Sequence, residues 1–332
     1  AISRFNLRNS WNKNIINEVK KIQRLDPFLP GTRWDLSSLP FVTIDGKNAK
    51  DFDDAVYAEK TNKGGYNLYV AIADVSHFVS IDSFIDQEAR NRGTSIYFTN
   101  KVIPMLPGEL SNKLCSLRPN EKKACLVCKV ELNSRGKLDE ASFFEAVIES
   151  KARLTYEETG NYFEKDDYPT HLLSCLQPLK NIYDLLKKQK ISRCALELDI
   201  PDYLPRFKNN EIQKFIKGKR NIAHQVIEEC MLLANISAAQ LLLNSQIPSI
   251  YRIHPKPDAI SINHLEMFAR SRRLNVKIRP EAKVEDFYKL IELASGRKDL
   301  EAIHMQILQS LTLASYSEES SGHFALAYKA YT

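Results

Sequence analysis

Leu39-Pro40-Phe41-Val42-Thr43-Ile44-Asp45-Gly46-Lys47-Asn48-Ala49-Lys50-Asp51-Phe52-Asp53-Asp54 runs from an apolar stretch straight into four carboxylates. Leu39 to Ile44 is rich in β-formers and is predicted as a strand. Crowded carboxylates raise one another's proton affinity. Oxygen donors of this kind suit hard cations such as Mg²⁺, Ca²⁺ or Mn²⁺. The loop therefore reads either as a divalent-metal site or as a solvated acidic turn. If the chain stays extended, Asp51 and Asp53 share one face and Asp54 points the other way. An EF-hand does not fit: counted from Asp45, its third and fifth positions are Lys47 and Ala49. Asp51-Phe52-Asp53 is also a D-x-D element, which in glycosyl transfer holds metal against a nucleotide diphosphate. That chemistry goes with parallel strands near the motif.

The flanking pattern is one of hairpins instead. Ala55 to Lys60, a turn at Lys63-Gly64-Gly65, and Tyr66 to Ala73 form the first, followed by Asp74 and His77. His77 reads either as structural or as a substrate contact. Residues 92–107 are strand-like and proline-punctuated. The adjacent aromatics Tyr97 and Phe98 point to opposite faces of a strand, so one can face a cleft. Ala124 to Leu132, the turn Asn133-Ser134-Arg135-Gly136, and Ala141 to Ser150 form a second hairpin. Upstream, Trp11, Ile15, Val19 and Ile22 recur at helical spacing behind Ser10 as cap, predicting a helix over 10–25 that Pro27, Pro30 and Gly31 end. After Thr155 the periodicity turns helical, over 171–190, 222–244, 258–274, 283–296 and 299–317, with Pro178 expected to kink or restart the first. Strands followed by helices predict an α+β fold, a mostly antiparallel sheet surrounded by helices.

Among the helices, His224 to Asn235 is apolar nearly all round and should be buried. It carries Glu228 and Glu229, about 100° apart on the helix. A buried carboxylate is costly without a partner. At least one of the two should meet a cation, an arginine or a metal-bound water, which makes this pair a candidate to work with the acidic loop.

The 332 residues are 43% hydrophobic and 27% charged, an ordinary soluble balance. No apolar run of about 18 residues is present, so no membrane partner is expected. The net charge of +6 favours a polyanionic partner. Basic stretches at Lys180 to Arg193, Arg206 to Arg220 and Arg270-Arg272-Arg273 read either as solvated faces or as a track for phosphates. Cys125-Leu126-Val127-Cys128 has C-x-x-C spacing without a second pair, and no histidine has zinc spacing. His254 and His323 read as structural or substrate-side. The scattered thiols and the lack of a signal-like start point to a cytoplasmic protein.

Several blocks together resemble the ribonuclease II/ribonuclease R exoribonucleases, whose catalytic domain is called RNB. They are Asp35-Leu36, the stretch from Leu39 through Val56, Val70 to His77, Arg92 to Phe98, Ile103 to Pro107, and Leu110 to Leu117. Ile227-Glu228-Glu229, Ala234-Asn235 and Tyr251-Arg252-Ile253-His254 complete the set. The resemblance runs from about residue 33 to the last residue. The versions at His77 and Arg92-Gly93-Thr94-Ser95 are similar to those of the ribonuclease R branch. It implies processive, hydrolytic 3′→5′ degradation of single-stranded RNA with a free 3′ end to 5′-mononucleotides by two Mg²⁺ ions, with Mn²⁺ as an alternative. Asp45, Asp51 and Asp54 match metal ligands. Asp53 matches the aspartate that positions the reaction, and Glu228 or Glu229 a glutamate beside the scissile end. Tyr97 matches an aromatic that stacks on the 3′-terminal nucleotide. Arg92 and His77 would lie on the RNA side.

Two departures accompany the resemblance. Leu198 stands where the family often has the second aromatic of the clamp, so the end-clamp is expected to be looser. The chain also stops before a His-x-x-Ser-Pro-Ile-Arg-Arg-Tyr segment and a C-terminal RNA-binding domain. Residues 1–32 are thus expected to be a linker helix and connector from a cold-shock region. Residues 33–332 are expected to be an RNB domain, C-terminally incomplete and impaired alone, from a protein that is monomeric at full length. The alternative is a non-catalytic RNA-binding member of the fold. The presence of all four aspartates favours the enzyme.

Overall fold

The computed structural model describes residues 2–23, 32–98, 101–198, 200–201, 203–208, 211–218, 220–279 and 281–332. Two compact units emerge: Ala1–Ile182 with Asn221–Cys230, and Tyr183–Arg220 with Met231–Thr332.

The first unit is built on a sheet. In chain order its elements are α1 (Lys13–Ile22), β1 (Trp34–Asp35), β2 (Val42–Asp45), β3 (Asp54–Lys60), β4 (Tyr66–Ala73), α2 (Val75–Phe78) and α3 (Phe84–Arg92). There follow β5 (Ile96–Tyr97), β6 (Val102–Ile103), a π-helical turn at Leu110–Leu114, β7 (Lys122–Leu132), β8 (Leu138–Glu149), β9 (Ala152–Thr155), α4 (Tyr156–Lys165) and α5 (Leu173–Ser192), which continues into the second unit. Seven strands pair in the order β1-β8-β7-β4-β3-β2-β9. The inner pairs are antiparallel, while β1 on β8 and β9 on β2 are parallel. Both expected hairpins are present, and β4 pairs with β7 to join them, with Val70 opposite Val56 on one side and Cys128 on the other. Their alternating apolar residues face the core: Tyr66, Leu68 and Val70 are buried, while Asn67 and Tyr69 between them are half-buried.

Several boundaries differ from expectation, each for a local reason. The first helix is capped by Asn12, whose side chain accepts from the Ile15 amide, and not by Ser10. Pro27, Pro30 and Gly31 lie outside the described residues. This helix is no detached connector. Ile15, Val19 and Ile22 are buried, and Glu18 accepts from the Ile85 amide at the start of α3. Pro178 sits inside α5 without ending it. The helix α4 follows a capping box in which Thr155 and Glu158 bond each other's amides, a signal legible in Thr155-x-x-Glu158.

The second unit is mainly helical. It holds β10 (Tyr203–Lys208) and β11 (Glu211–Lys217), then the greater part of α6 (Ile222–Asn244), followed by β12 (Tyr251–Ile253), α7 (Ala259–Ser271), α8 (Val284–Ala294), α9 (Leu300–Ser310) and β13 (Ser315–Ser317). Leu265, Phe287, Leu290, Ile303 and Ile307 form its core. The expected helix over 299–317 stops at Ser310. Beyond it the Thr312 hydroxyl donates to the Pro255 carbonyl, His254 bonds the Thr312 carbonyl, and β13 pairs with β12. The basic stretch Arg206 to Arg220 contains β11 and the second half of β10 rather than a helix face. By length and composition α6 could cross a membrane; half of its most apolar window is buried in the fold, as in a core helix.

Candidate active site

The acidic loop connects β2 to β3 in the first unit. Asp45 closes β2 and Asp54 opens β3. Between them Phe52 is buried, which in extended chain turns Asp51 and Asp53 the other way, as the alternation predicts. The loop is tied down from two sides. The Phe52 amide donates to the Ser116 hydroxyl at 3.0 Å, and that hydroxyl donates to the Lys50 carbonyl at 3.2 Å. The Leu117 amide donates to the Phe52 carbonyl. On the other side Arg153 donates to the carbonyls of Gly46 and Lys47 at 2.8 and 2.9 Å. Asp53 is bonded through its backbone to Ala73 at the end of β4.

Asp45, Asp53 and Asp54 are carboxylates short of positive charge. Burial pushes Asp45 up to about 7, with Asp54 adding to it, Arg153 opposing, and Asp51 and Asp53 contributing less. Burial and then Asp53 push Asp54 up to about 6. Crowding by protein atoms and then Asp51 raise Asp53, although its side chain keeps contact with solvent. Such a site takes up positive charge favourably, as protons or as a cation. An all-oxygen donor set fits Mg²⁺ or Mn²⁺. As the side chains stand, no three His, Cys, Asp or Glu residues among the described residues are gathered as metal ligands. The loop thus has the donors and the charge for a cation, without a closed ligand cage.

Asp51 and Asp53 line a pocket of about 400 Å³ whose other walls include Ser95, Tyr97, Met105 and Cys115. Tyr97 is 69% exposed, a free aromatic face at the mouth. The strand reading of 92–107 left open which of Tyr97 and Phe98 faces a cleft, and Tyr97 is the one on the pocket, although only β5 and β6 are regular there. Phe98 is half-buried. A cavity of about 840 Å³ in the second unit is lined by Arg193, His254 and His323 among others.

The start of α6 joins the same neighbourhood. Glu229 is 3% exposed, and burial, followed by the charges of Asp54 and Glu229, pushes the Cys230 thiol up. Glu228 is half-buried. Sequence reasoning missed two residues here. Burial, then Asp54 and Asp45, push the Tyr156 phenol up to about 12, so it faces both carboxylates. Its ring stacks on His224 at 3.9 Å, and Asn221 links the two by donating to the Tyr156 carbonyl and bonding the His224 ring. The second is Arg153, the cation beside Asp45. Its signal was weak: a lone arginine two residues before an unrecognised capping box.

Three further expected RNA contacts have these surroundings. Arg92 is 4% exposed at its side chain and fully engaged: it bonds Glu88, the Pro104 carbonyl and the Ser10 carbonyl, and lies 3.6 Å over the Trp11 ring. It is an internal tie, with each guanidinium nitrogen bonded within the protein. His77 is exposed on α2, its amide bonded to Asp74 and its ring edge-on to Phe78. Leu198 belongs to the second unit and packs against that unit's helical core.

Residues 33–332 match the RNB domain model, and the chain belongs to the RNB-domain family. Ribonuclease R of Escherichia coli (strain K12) is 41% identical over 304 residues, which are 90% of this chain and 37% of that protein. Mycoplasma genitalium RNase R in complex with ribose methylated single-stranded RNA has a TM-score of 0.94 at 27% identity, covering 100% of this chain and 52% of that one. Yeast Ssd1, a pseudonuclease, shares the fold alone, with a TM-score of 0.74 at 16% identity over 96% of this chain and 43% of that one. The chain therefore spans between about a third and about half of the length of these relatives. The α+β fold and the family expected from the quoted blocks are the ones found.

Proposed function

We propose that this chain is the catalytic part of a divalent-metal-dependent exoribonuclease. It would hydrolyse single-stranded RNA from a free 3′ end to 5′-mononucleotides. The observation that carries this is the acidic loop, short of positive charge and opening onto the Tyr97 pocket. Asp45, Asp51 and Asp54 would hold Mg²⁺ or Mn²⁺. When bound, such ions supply a water nucleophile at neutral pH and charge stabilisation for the departing 3′-oxygen. Tyr97 stacks on the terminal base, a sequence-tolerant contact worth roughly 1–3 kcal/mol per base. Asp53, on the wall of that pocket, orients the reacting phosphodiester. Water then adds across the P–O3′ bond, leaving the 5′-phosphate on the released nucleotide and a 3′-hydroxyl on the shortened chain. The Tyr156 phenol lies near Asp54 and Asp45, and Glu229 is buried next to Cys230, whose thiol feels the charge of Asp54. The six free cysteines, five of them buried, support a reducing, cytoplasmic setting.

The test separates turnover from binding. In the longer protein that contains this chain, Asp53→Asn should abolish RNA hydrolysis while RNA affinity, measured in EDTA, changes less than about threefold. Affinity falling in step with turnover would count against the role given to Asp53. The second reading, a non-catalytic RNA-binding member, draws on the shared fold with a pseudonuclease, and it predicts unchanged behaviour for Asp53→Asn.

A further inference from the structure

The hairpin of β10 and β11 is open to solvent on both faces. Tyr203, Leu204, Phe207, Ile212, Phe215 and Ile216 are each at least 40% exposed. A two-stranded hairpin is marginal in water by itself, and one that shows six large apolar side chains needs something to cover it.

Register sorts the side chains by face. Tyr203 pairs with Lys217, Pro205 with Phe215 and Phe207 with Ile212, the irregularity after Arg206 keeping Phe207 and Ile212 opposite each other. Cross-strand partners share a face, so Tyr203, Phe207 and Phe215 stand together on one side. Leu204 with Ile216, Arg206 with Lys214 and Lys208 with Glu211 occupy the other. The cations outnumber the single carboxylate, Glu211. Lys217 reaches out of the hairpin to Glu301 at 2.8 Å, while Arg206, Lys208 and Lys214 have no carboxylate partner among the described residues.

The cores of protein interfaces are depleted in lysine. Aromatic rings backed by unpaired lysine and arginine are instead what single-stranded nucleic acid uses: rings take bases, and cations track phosphates. We infer that the β10–β11 hairpin is a second RNA-binding element, in which Tyr203, Phe207 and Phe215 stack bases on one face while Arg206, Lys208 and Lys214, on the other, attract the strand's phosphates through the field of the hairpin. This rests on the reading of the chain as RNA-handling, and it adds a contact distinct from the acidic pocket.

The test uses the full chain carrying Phe215→Trp, titrated with a single-stranded RNA 12-mer in EDTA so that no cleavage occurs. Trp11 and Trp34 give the background, measured in the parent. Stacking predicts quenching of the added tryptophan on binding. Replacing Tyr203, Phe207 and Phe215 together by Leu keeps apolar area and removes rings; it should weaken RNA binding at least fivefold. Replacing Arg206, Lys208 and Lys214 by Ser should lower the slope of log affinity against log salt by about 2. All six side chains project from a peripheral hairpin, and melting curves check that each variant folds. RNA binding that persists with the tryptophan silent and the variants unaffected overturns the hairpin's role while leaving the RNA reading intact. A tryptophan already blue-shifted in the longer protein and unmoved by RNA overturns it too, marking a protein contact. No RNA binding by the parent chain overturns both.

Discussion

Replacing Asp54 by Asn should stabilise the metal-free protein. The Asp54 carboxyl rises from its ordinary 3.8 to about 6 because burial, and then the charge of Asp53, disfavour its ionised form. At about 1.4 kcal/mol for each tenfold change in proton affinity, holding that charge in the fold costs up to about 3 kcal/mol. Solvent reaches part of the side chain, so about 2 kcal/mol is the expected relief. For a unit of this size that is a rise in Tm of roughly 4–8 °C. The sign with pH is fixed. A raised folded pKa gives stability that is whole below about 4 and is lost as pH rises through about 6. The advantage of Asp54→Asn should therefore be absent near pH 4, open between pH 4 and 6, and stay constant at pH 8. Calorimetry in EDTA across this range reads it directly, and added Mg²⁺ should raise the Tm of the parent more than that of the variant. A variant that melts at or below the parent at pH 8 in EDTA, or gains as much at pH 4, would refute the reasoning.

Arg92→Ala should cost about 3 kcal/mol in urea unfolding, because it strips a buried guanidinium from Glu88, two carbonyls and the Trp11 ring. Arg92→Lys should recover little of this, since an ammonium cannot reproduce the planar fork. Gly65→Ala should cost more than 1 kcal/mol in the same assay, because its Cβ would meet the Leu132 carbonyl oxygen at 2.1 Å. His323 is pushed down to about 4 by burial and then by His254. The stability this gives is present above about 6.5 and lost as pH falls toward 4, so melting curves between pH 7 and 4 should fall less steeply for His323→Gln. In the longer protein, Tyr97→Ala should change the length of the final undegraded product more than the initial rate, as read on a sequencing gel.

The sheet was legible where period-two alternation and turn chemistry agreed. Lys63-Gly64-Gly65 and Asn133 to Gly136 marked both hairpins to within a few residues. Alternation also put Asp51 and Asp53 on one face, and the burial of Phe52 between them agrees with it. What escaped depended on contacts distant in sequence. Arg92 reads as a cation beside a strand, and only the fold shows Glu88, Pro104, Ser10 and Trp11 using every nitrogen. Tyr156 carries no motif, and its place by Asp45 and Asp54 follows from β9 pairing with β2. Leu198 packs half-buried against the helical core of its unit, a contact that no local pattern announces. The hairpin of β10 and β11 was hidden because its lysines and arginines read as a charge run.

The most direct measurement follows 5′-labelled single-stranded RNA incubated with the longer protein in Mg²⁺ and in EDTA, with products resolved by length. The account predicts labelled RNA shortened from its 3′ end in Mg²⁺ and intact RNA in EDTA, with the shortening lost in Asp53→Asn. Shortening that persists in EDTA, or RNA that is bound but never cut in Mg²⁺, would contradict it.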